Sequence, residues 1–239
     1  MKIKTVLFDL DGTLLPMDQE GFMQRYLKAL TGHFYQYMSP EVFQKLLWKG
    51  THEMLNNQGG SETNEATFYR AFFEAHEEKR SEMIQTFEQF YETDFEQARE
   101  TTGTDIRMIK AVHALQNKGY RMAVATNPLF PLRAVEKRIG WAGLSPDQFE
   151  FITSFETMHA CKPHLAFYQE VLDILQTEPA STIMVGNDAH EDLMAGELGM
   201  QTYLVTNCLL QADKQTMTPD YRGTTEDFLD FVGTLPSLR

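Results

Sequence analysis

A chain of 239 residues with 42% hydrophobic and 23% charged side chains has the composition of a folded globular protein, which excludes a fibrous or largely disordered one. Its formal charge of -13 and isoelectric point near 4.9 argue against nucleic acid or an anionic membrane as a partner. A phosphorylated small molecule fits only where a metal ion, a lysine or backbone N–H groups create a local positive site.

Residues 3 to 8 (Ile-Lys-Thr-Val-Leu-Phe) form a β-branched and aromatic run that predicts a buried parallel strand. The apolar run stops at Asp9, too short for a signal peptide or a membrane span. The strand ends in Asp9-Leu10-Asp11-Gly12-Thr13. Alone, such a segment is most often a turn with solvated acids. At a strand end, two nearby carboxyls can also divide a hydrolysis: one attacks phosphorus to give an aspartyl-phosphate, and the other protonates the leaving oxygen and later deprotonates water.

From 17 to 100 the pattern is helical and rich in aromatics, as in Phe22-Tyr26-Leu27-Leu30 and Phe68-Phe72-Phe73 at spacings of three and four. This insert carries eight basic and fifteen acidic residues, a net of -7, so its outer surface is expected to be a solvated acidic face. Asn57-Gln58-Gly59-Gly60-Ser61 predicts a turn between insert helices. Arg25, His33, Lys45, Lys49 and His52 are the insert side chains that could meet an anionic substrate, though each is more commonly a surface residue.

Beyond the insert, strands and helices alternate. A helix over 105–117, with Gly119 just past its end, precedes a strand at Tyr120–Ala125 that runs into Thr126-Asn127-Pro128. A helix at 131–139 and a strand at Phe149–Thr153 follow, then Cys161-Lys162-Pro163-His164 and a helix over 164–175. A strand at Thr182–Val185 leads to Gly186-Asn187-Asp188-Ala189-His190-Glu191-Asp192, with a helix over 189–198 and a strand at Gln201–Val205. Pro219-Asp220-Tyr221-Arg222-Gly223 comes before a short helix from Thr225 to Val232. The alternation predicts an α/β, Rossmann-like three-layer core with a parallel sheet, in which ligands gather outside the carboxyl ends of the strands. Asp9, Thr126 and Asp188 each fall just past such an end. Two cysteines, Cys161 and Cys208, lack a zinc spacing and are too few for a disulfide framework, so a reducing, cytoplasmic setting is expected.

The run Val6-Leu7-Phe8-Asp9-Leu10-Asp11-Gly12-Thr13-Leu14-Leu15 resembles the first signature of the haloacid dehalogenase-like superfamily, and three further signatures follow in order. The resemblance implies Asp9 as nucleophile and Asp11 as proton shuttle. It implies that Thr126, with neighbouring Asn127, holds the phosphoryl oxygens, and that Lys162 steadies nucleophile and phosphate. A magnesium ion is implied on Asp9, the carbonyl of Asp11 and Asp188, with Asp192 as a further ligand or a supporting acid. The family's fourth signature often places an acid directly after the glycine, where this chain has Asn187, so either Asn187 or Asp188 occupies the first metal-loop position. By the same resemblance, residues 17–100 form an α-helical cap domain on a core of 1–16 and 101–239, directing the reaction to a small phosphorylated metabolite. Asp11 argues against dehalogenase and phosphonatase chemistry. A phosphosugar mutase or a catalytically silent binding protein are the alternatives. His159, Cys161 and His190 receive no role, since a carboxylate mechanism needs neither imidazole nor thiolate.

Overall fold

A computed structural model describes residues 2–74 and 77–239. Thr5–Phe8 (β1) is buried on both faces, as an uninterrupted apolar strand must be when parallel neighbours flank it. Those neighbours are Arg121–Val124 (β2) and Thr182–Gly186 (β4). Phe151–Ile152 (β3), Gln201–Val205 (β5) and Tyr221–Gly223 (β6) complete an all-parallel sheet of order β3-β2-β1-β4-β5-β6. The chain direction across the sheet reverses between β1 and β4, the point where a crevice opens beyond the strand ends.

Alternation along each strand builds two apolar layers. Val6 and Phe8 face one way with Met122, Val124, Ile183 and Val185, against Ile106–Lys118 (α5), Leu132–Trp141 (α6) and Thr225–Thr234 (α8). Leu7, Ala123 and Met184 face the other way, under Leu165–Leu175 (α7). Gly119 closes α5 in the left-handed conformation at φ 85°, the role its position after the helix suggested.

Two sequence expectations are corrected, and one strand is added to them. The helix over 189–198 is instead a 3-10 segment at Asp192–Leu198. Its first turn is occupied by side chains that compete for backbone donors: Asp188 accepts the N–H groups of His190 and Glu191, and Asp192 accepts that of Asp188. The strand at Phe149–Thr153 shrinks to two residues at the sheet margin, although Glu150 and Thr153 still donate to β2. The edge strand β6 went unforeseen, because three residues are too few to show a period.

The insert comprises Gln19–His33 (α1), Pro40–Leu55 (α2), Asn64–Phe73 (α3), Arg80–Glu92 (α4) and a 3-10 segment at Asp94–Thr101. Asp18, Ser39 and Thr63 cap the first three helices by accepting backbone N–H groups, and Pro40 stands at the first position of α2. Aromatic rings fill its interior, among them Phe34 stacked on Phe43 at 4.4 Å. Where the chain leaves and re-enters the sheet domain, Asp18 donates to Thr101 and Gly103 to Pro16.

A second set of bonds joins the α2–α3 turn to the loop after β3. Gly59 donates to His159, Asn64 to Met158, Glu65 to Phe155, and Cys161 to Asn57, all through backbone groups. The fully buried Asn64 side chain adds bonds to the carbonyls of Pro128 and Ala160 and to the Cys161 sulfur. Among the described residues no helix is long and apolar enough to cross a membrane.

Candidate active site

The turn after β1 is set by its backbone. Asp9 N–H remains bonded to Val185 at 2.9 Å, and the Leu10 carbonyl then accepts from both Thr13 and Leu15. Gly12 sits at φ +88°, and a Cβ there would lie 2.4 Å from the Asn187 amide nitrogen. Glycine therefore answers both a left-handed backbone and the close approach of a second loop. Thr13 fastens the two loops by donating to Asn187 Oδ1 at 2.9 Å and to Asp9 Oδ2 at 3.2 Å.

Lys162 is the positive centre. It is 1% exposed, 3.0 Å from Asp9 Oδ1 and 2.7 Å from Asp192 Oδ1. The other Asp192 oxygen accepts the Asp188 N–H at 2.9 Å, so both of its oxygens have protein partners. Its carboxylate packs directly on Gly186, where a Cβ would come within 2.0 Å of Asp192 Oδ2. Asp188 is braced by the His190 and Glu191 amides on one oxygen and by Gln211 at 2.7 Å on the other. Asn187 is turned away to the Cys208 carbonyl and to Thr13, so it ties loops together while Asp188 presents the carboxylate.

These loops enclose a cavity of about 150 Å³. Asp9, Asp11, Thr126, Asn127, Asp188 and Asp192 all line it, and Gln19, Phe130 and Glu191 join them. Lys162 reaches Asp9 from the loop behind. The Thr126 carbonyl is held by the Thr153 hydroxyl at 2.7 Å, while Asn127 donates to Glu191 at 3.1 Å and leaves its own Oδ1 without a partner. The insert cations are not part of this assembly. Arg25 pairs with Glu100 and His33 with Asp94 beside a separate groove on α1, Lys49 pairs with Glu74, and neither Lys45 nor His52 lines the cavity.

Burial dominates the electrostatics. It pushes the carboxyls of Asp9 and Asp11 above the usual carboxylate range, against the pull of Lys162 on the first and Arg138 on the second. Burial likewise raises Asp192 to about 6 and Glu191 to about 7, with Lys162 opposing both. Burial opposes the charge on Lys162, yet the carboxylates of Asp192 and Asp9 outweigh it and hold the ammonium's pKa well above the ordinary lysine range. The cavity thus concentrates acidic oxygens held by two buried cations, Lys162 and Arg138.

Among the described residues no three His, Cys, Asp or Glu side chains cluster tightly enough to enclose a metal ion alone. Magnesium asks for less, because it is usually held by one or two carboxylates with waters and substrate phosphate completing an octahedron. Asp9 and Asp188, hard oxygen donors on one cavity, fit that requirement.

Four contributors escaped the sequence reading. Thr13, Gln211 and Glu191 are ordinary polar residues whose contacts depend on loops distant in the chain. Arg138 did leave a signal: it falls on the buried face of α6 with Ala134, Val135 and Ile139, where an unpartnered arginine would be costly.

The profile of the family described as haloacid dehalogenase-like hydrolase matches residues 6–205. A pyrophosphatase, PpaX, of Bacillus mycoides (strain KBAB4) is 30% identical over 227 residues, covering 92% of both chains. Among solved structures, a HAD phosphatase from Thermococcus onnurineus superposes with a TM-score of 0.62 at 18% identity, over the full length of each chain. The HAD hydrolase YfnB from Bacillus subtilis, solved with magnesium, gives 0.57 at 18% identity over 98% of this chain and 100% of that one.

Proposed function

The chain belongs to the haloacid dehalogenase-like hydrolases, and on that premise we propose that it is a magnesium-dependent phosphohydrolase of small phosphate compounds, working through an aspartyl-phosphate on Asp9. One observation carries the reading: a cavity with Asp9 and Asp11 side by side and the Lys162 ammonium 3.0 Å from the Asp9 carboxylate.

Asp9 attacks phosphorus while Lys162 holds its carboxylate and offsets the charge of the transferring phosphoryl group. Thr126 and Asn127 orient the phosphoryl oxygens from the end of β2. Asp11 gives its proton to the leaving oxygen as that P–O bond breaks, then takes one from the water that cleaves the Asp9–phosphate bond. Asp9, the Asp11 carbonyl and Asp188 would hold magnesium, which when bound supplies charge neutralisation between two anions. Asp192, which accepts from the Lys162 ammonium and the Asp188 N–H, orders both. The insert acts as a cap that excludes water.

The small cavity favours compact substrates. Ligand pockets commonly span ~300–1,000 Å³, whereas about 150 Å³ leaves little room beyond a phosphoryl group and a short remainder. Pyrophosphate, the substrate named for the Bacillus mycoides relative, falls in that size class. In a magnesium-dependent phosphate-release screen, kcat/KM for pyrophosphate or short phosphorylated acids is expected to exceed that for nucleoside monophosphates by roughly 10-fold or more, about 1.4 kcal/mol of discrimination. Equal rates across sizes would refute the size argument, and no release from any compound would leave a silent binding protein.

The raised carboxyls give a second expectation. A carboxyl whose folded pKa lies above its unfolded one stabilises the fold fully below the unfolded value, and loses that contribution as pH rises through the folded value. For Asp192 and Glu191 that window runs from the ordinary carboxylate range up to about 6 and about 7, and burial shifts Asp9 and Asp11 in the same direction. Without divalent cation, Tm should fall between pH 5 and pH 8 by roughly 5 °C or more. Millimolar magnesium should restore most of that at pH 8 and little at pH 5. A Tm indifferent to magnesium at pH 8 would remove the metal from the proposal.

A further inference from the structure

Arg138 is the largest fully buried side chain, 1% exposed, on a helix no motif includes. Its Nη1 pairs with Asp11 Oδ2, its Nε donates to the Ala134 carbonyl at 3.3 Å, and its guanidinium lies over the Phe130 ring at 4.4 Å. Phe130 lines the cavity and is itself packed by Tyr26 of α1 at 5.4 Å. The Asp11 side chain keeps 24% exposure, and its Oδ1 is a buried oxygen with no protein partner. On Asp9, by contrast, Lys162 takes Oδ1 and Thr13 takes Oδ2. Oδ1 of Asp11 is therefore the uncommitted carboxyl oxygen of the first loop.

We propose that Arg138 is a positioning residue for proton transfer: it grips Asp11 by Oδ2 and so presents Oδ1 to the oxygen that leaves phosphorus. This rests on the reading of Asp11 as the proton donor. In the first half-reaction the Asp9–phosphorus bond forms and the phosphorus–leaving-oxygen bond breaks, its electron pair taking the proton from Asp11 Oδ1. In the second, water attacks phosphorus and gives a proton to Oδ1 while the Asp9–phosphorus bond breaks, its electron pair returning to the Asp9 carboxylate, so both carboxyls are restored. A carboxyl held by one oxygen against a planar cation keeps a single orientation, whereas a free one rotates about its Cβ–Cγ bond. Arginine suits the task better than lysine because separate donors and a flat face are used together: Nη1 on the carboxylate, Nε on the Ala134 carbonyl and the guanidinium plane over Phe130.

The test compares two substrates of the full-length, magnesium-loaded protein. The p-nitrophenolate of p-nitrophenyl phosphate departs without a proton, while the alkoxide of glycerol 2-phosphate requires one. In single-turnover measurements of leaving-group release, which report the first half-reaction alone, Arg138→Gln should slow glycerol release from glycerol 2-phosphate by about 100-fold, the lower range of general-acid contributions, and p-nitrophenolate release by less than ~5-fold, while steady-state turnover of both substrates, which needs the proton from water, falls. Asp11→Asn should show the same discrimination, and adding Arg138→Gln to it should bring no further loss, because the two act as one unit. Arg138→Lys, which keeps the charge but not the fork, serves if the Gln variant does not fold and should show a smaller loss of the same pattern. Equal losses of single-turnover leaving-group release on both substrates, or additive losses in the double variant, overturn the assignment. If Asp11→Asn discriminates and the Arg138 variants do not, this inference alone fails. If Asp11→Asn does not discriminate, the proton-donor reading fails and takes the inference with it.

Discussion

Asp9→Asn is expected to release no phosphate above background from any substrate of the wild-type protein, a loss of ~10⁴-fold or more in kcat. The amide cannot form the acyl-phosphate, and no neighbouring group can replace it. Asp11 is turned to Arg138, Asp188 to Gln211 and two amides, and Asp192 to Lys162. The fold should survive. Asparagine keeps the shape of aspartate and removes a carboxylate that burial already disfavours, and Lys162 retains Asp192 at 2.7 Å. Tm should therefore stay within ~5 °C of wild type, a shift of about 1–2 kcal/mol for a chain of this size. Intact mass must be followed alongside activity, because hydrolysis of the amide would regenerate aspartate. Wild-type turnover with an unchanged mass would refute the nucleophile assignment.

Lys162→Met should damage both activity and stability. Methionine matches the length and apolar stem of lysine but leaves Asp9 and Asp192 buried with no cation between them. Removing one partner of a buried ion pair costs about 3–5 kcal/mol, equivalent to ~10 °C in Tm here. The sign with pH is fixed. Without the ammonium, both carboxyls rise further above their unfolded values, so the variant loses stability as pH climbs, and its deficit should widen from pH 5 to pH 8. Thermal denaturation of both proteins at several pH values in chelator measures this. A deficit that is constant with pH would mean that Lys162 contributes packing and not charge.

The parts of this molecule that were legible in its sequence are those fixed by local pattern. β1 reads as a strand because four consecutive residues are buried on both faces, and the acids after it gather because parallel strands bring their ends together. Less legible were groups whose environment is built by distant chain. Arg138 and Asp11 are 127 residues apart, and Gln211 reaches Asp188 across 23 residues from a left-handed backbone at φ 48° that nothing in its neighbours announces. The segment after Asp188 misled for a different reason: its helical composition was genuine, but side-chain carboxylates took the backbone donors first.

Asn64 was invisible in the sequence too, a polar residue at a helix start with nothing to mark it as buried. The turn it belongs to is sewn to residues 155–161, the stretch that hands on to Lys162. Lifting the helical layer at that edge would tear those stitches, strand the Asn64 amide and slacken the peptide carrying the ammonium. The aim of the Lys162 ammonium at Asp9 thus rests in part on a layer of chain that touches neither residue, fastened to their neighbourhood by main-chain bonds alone at most points.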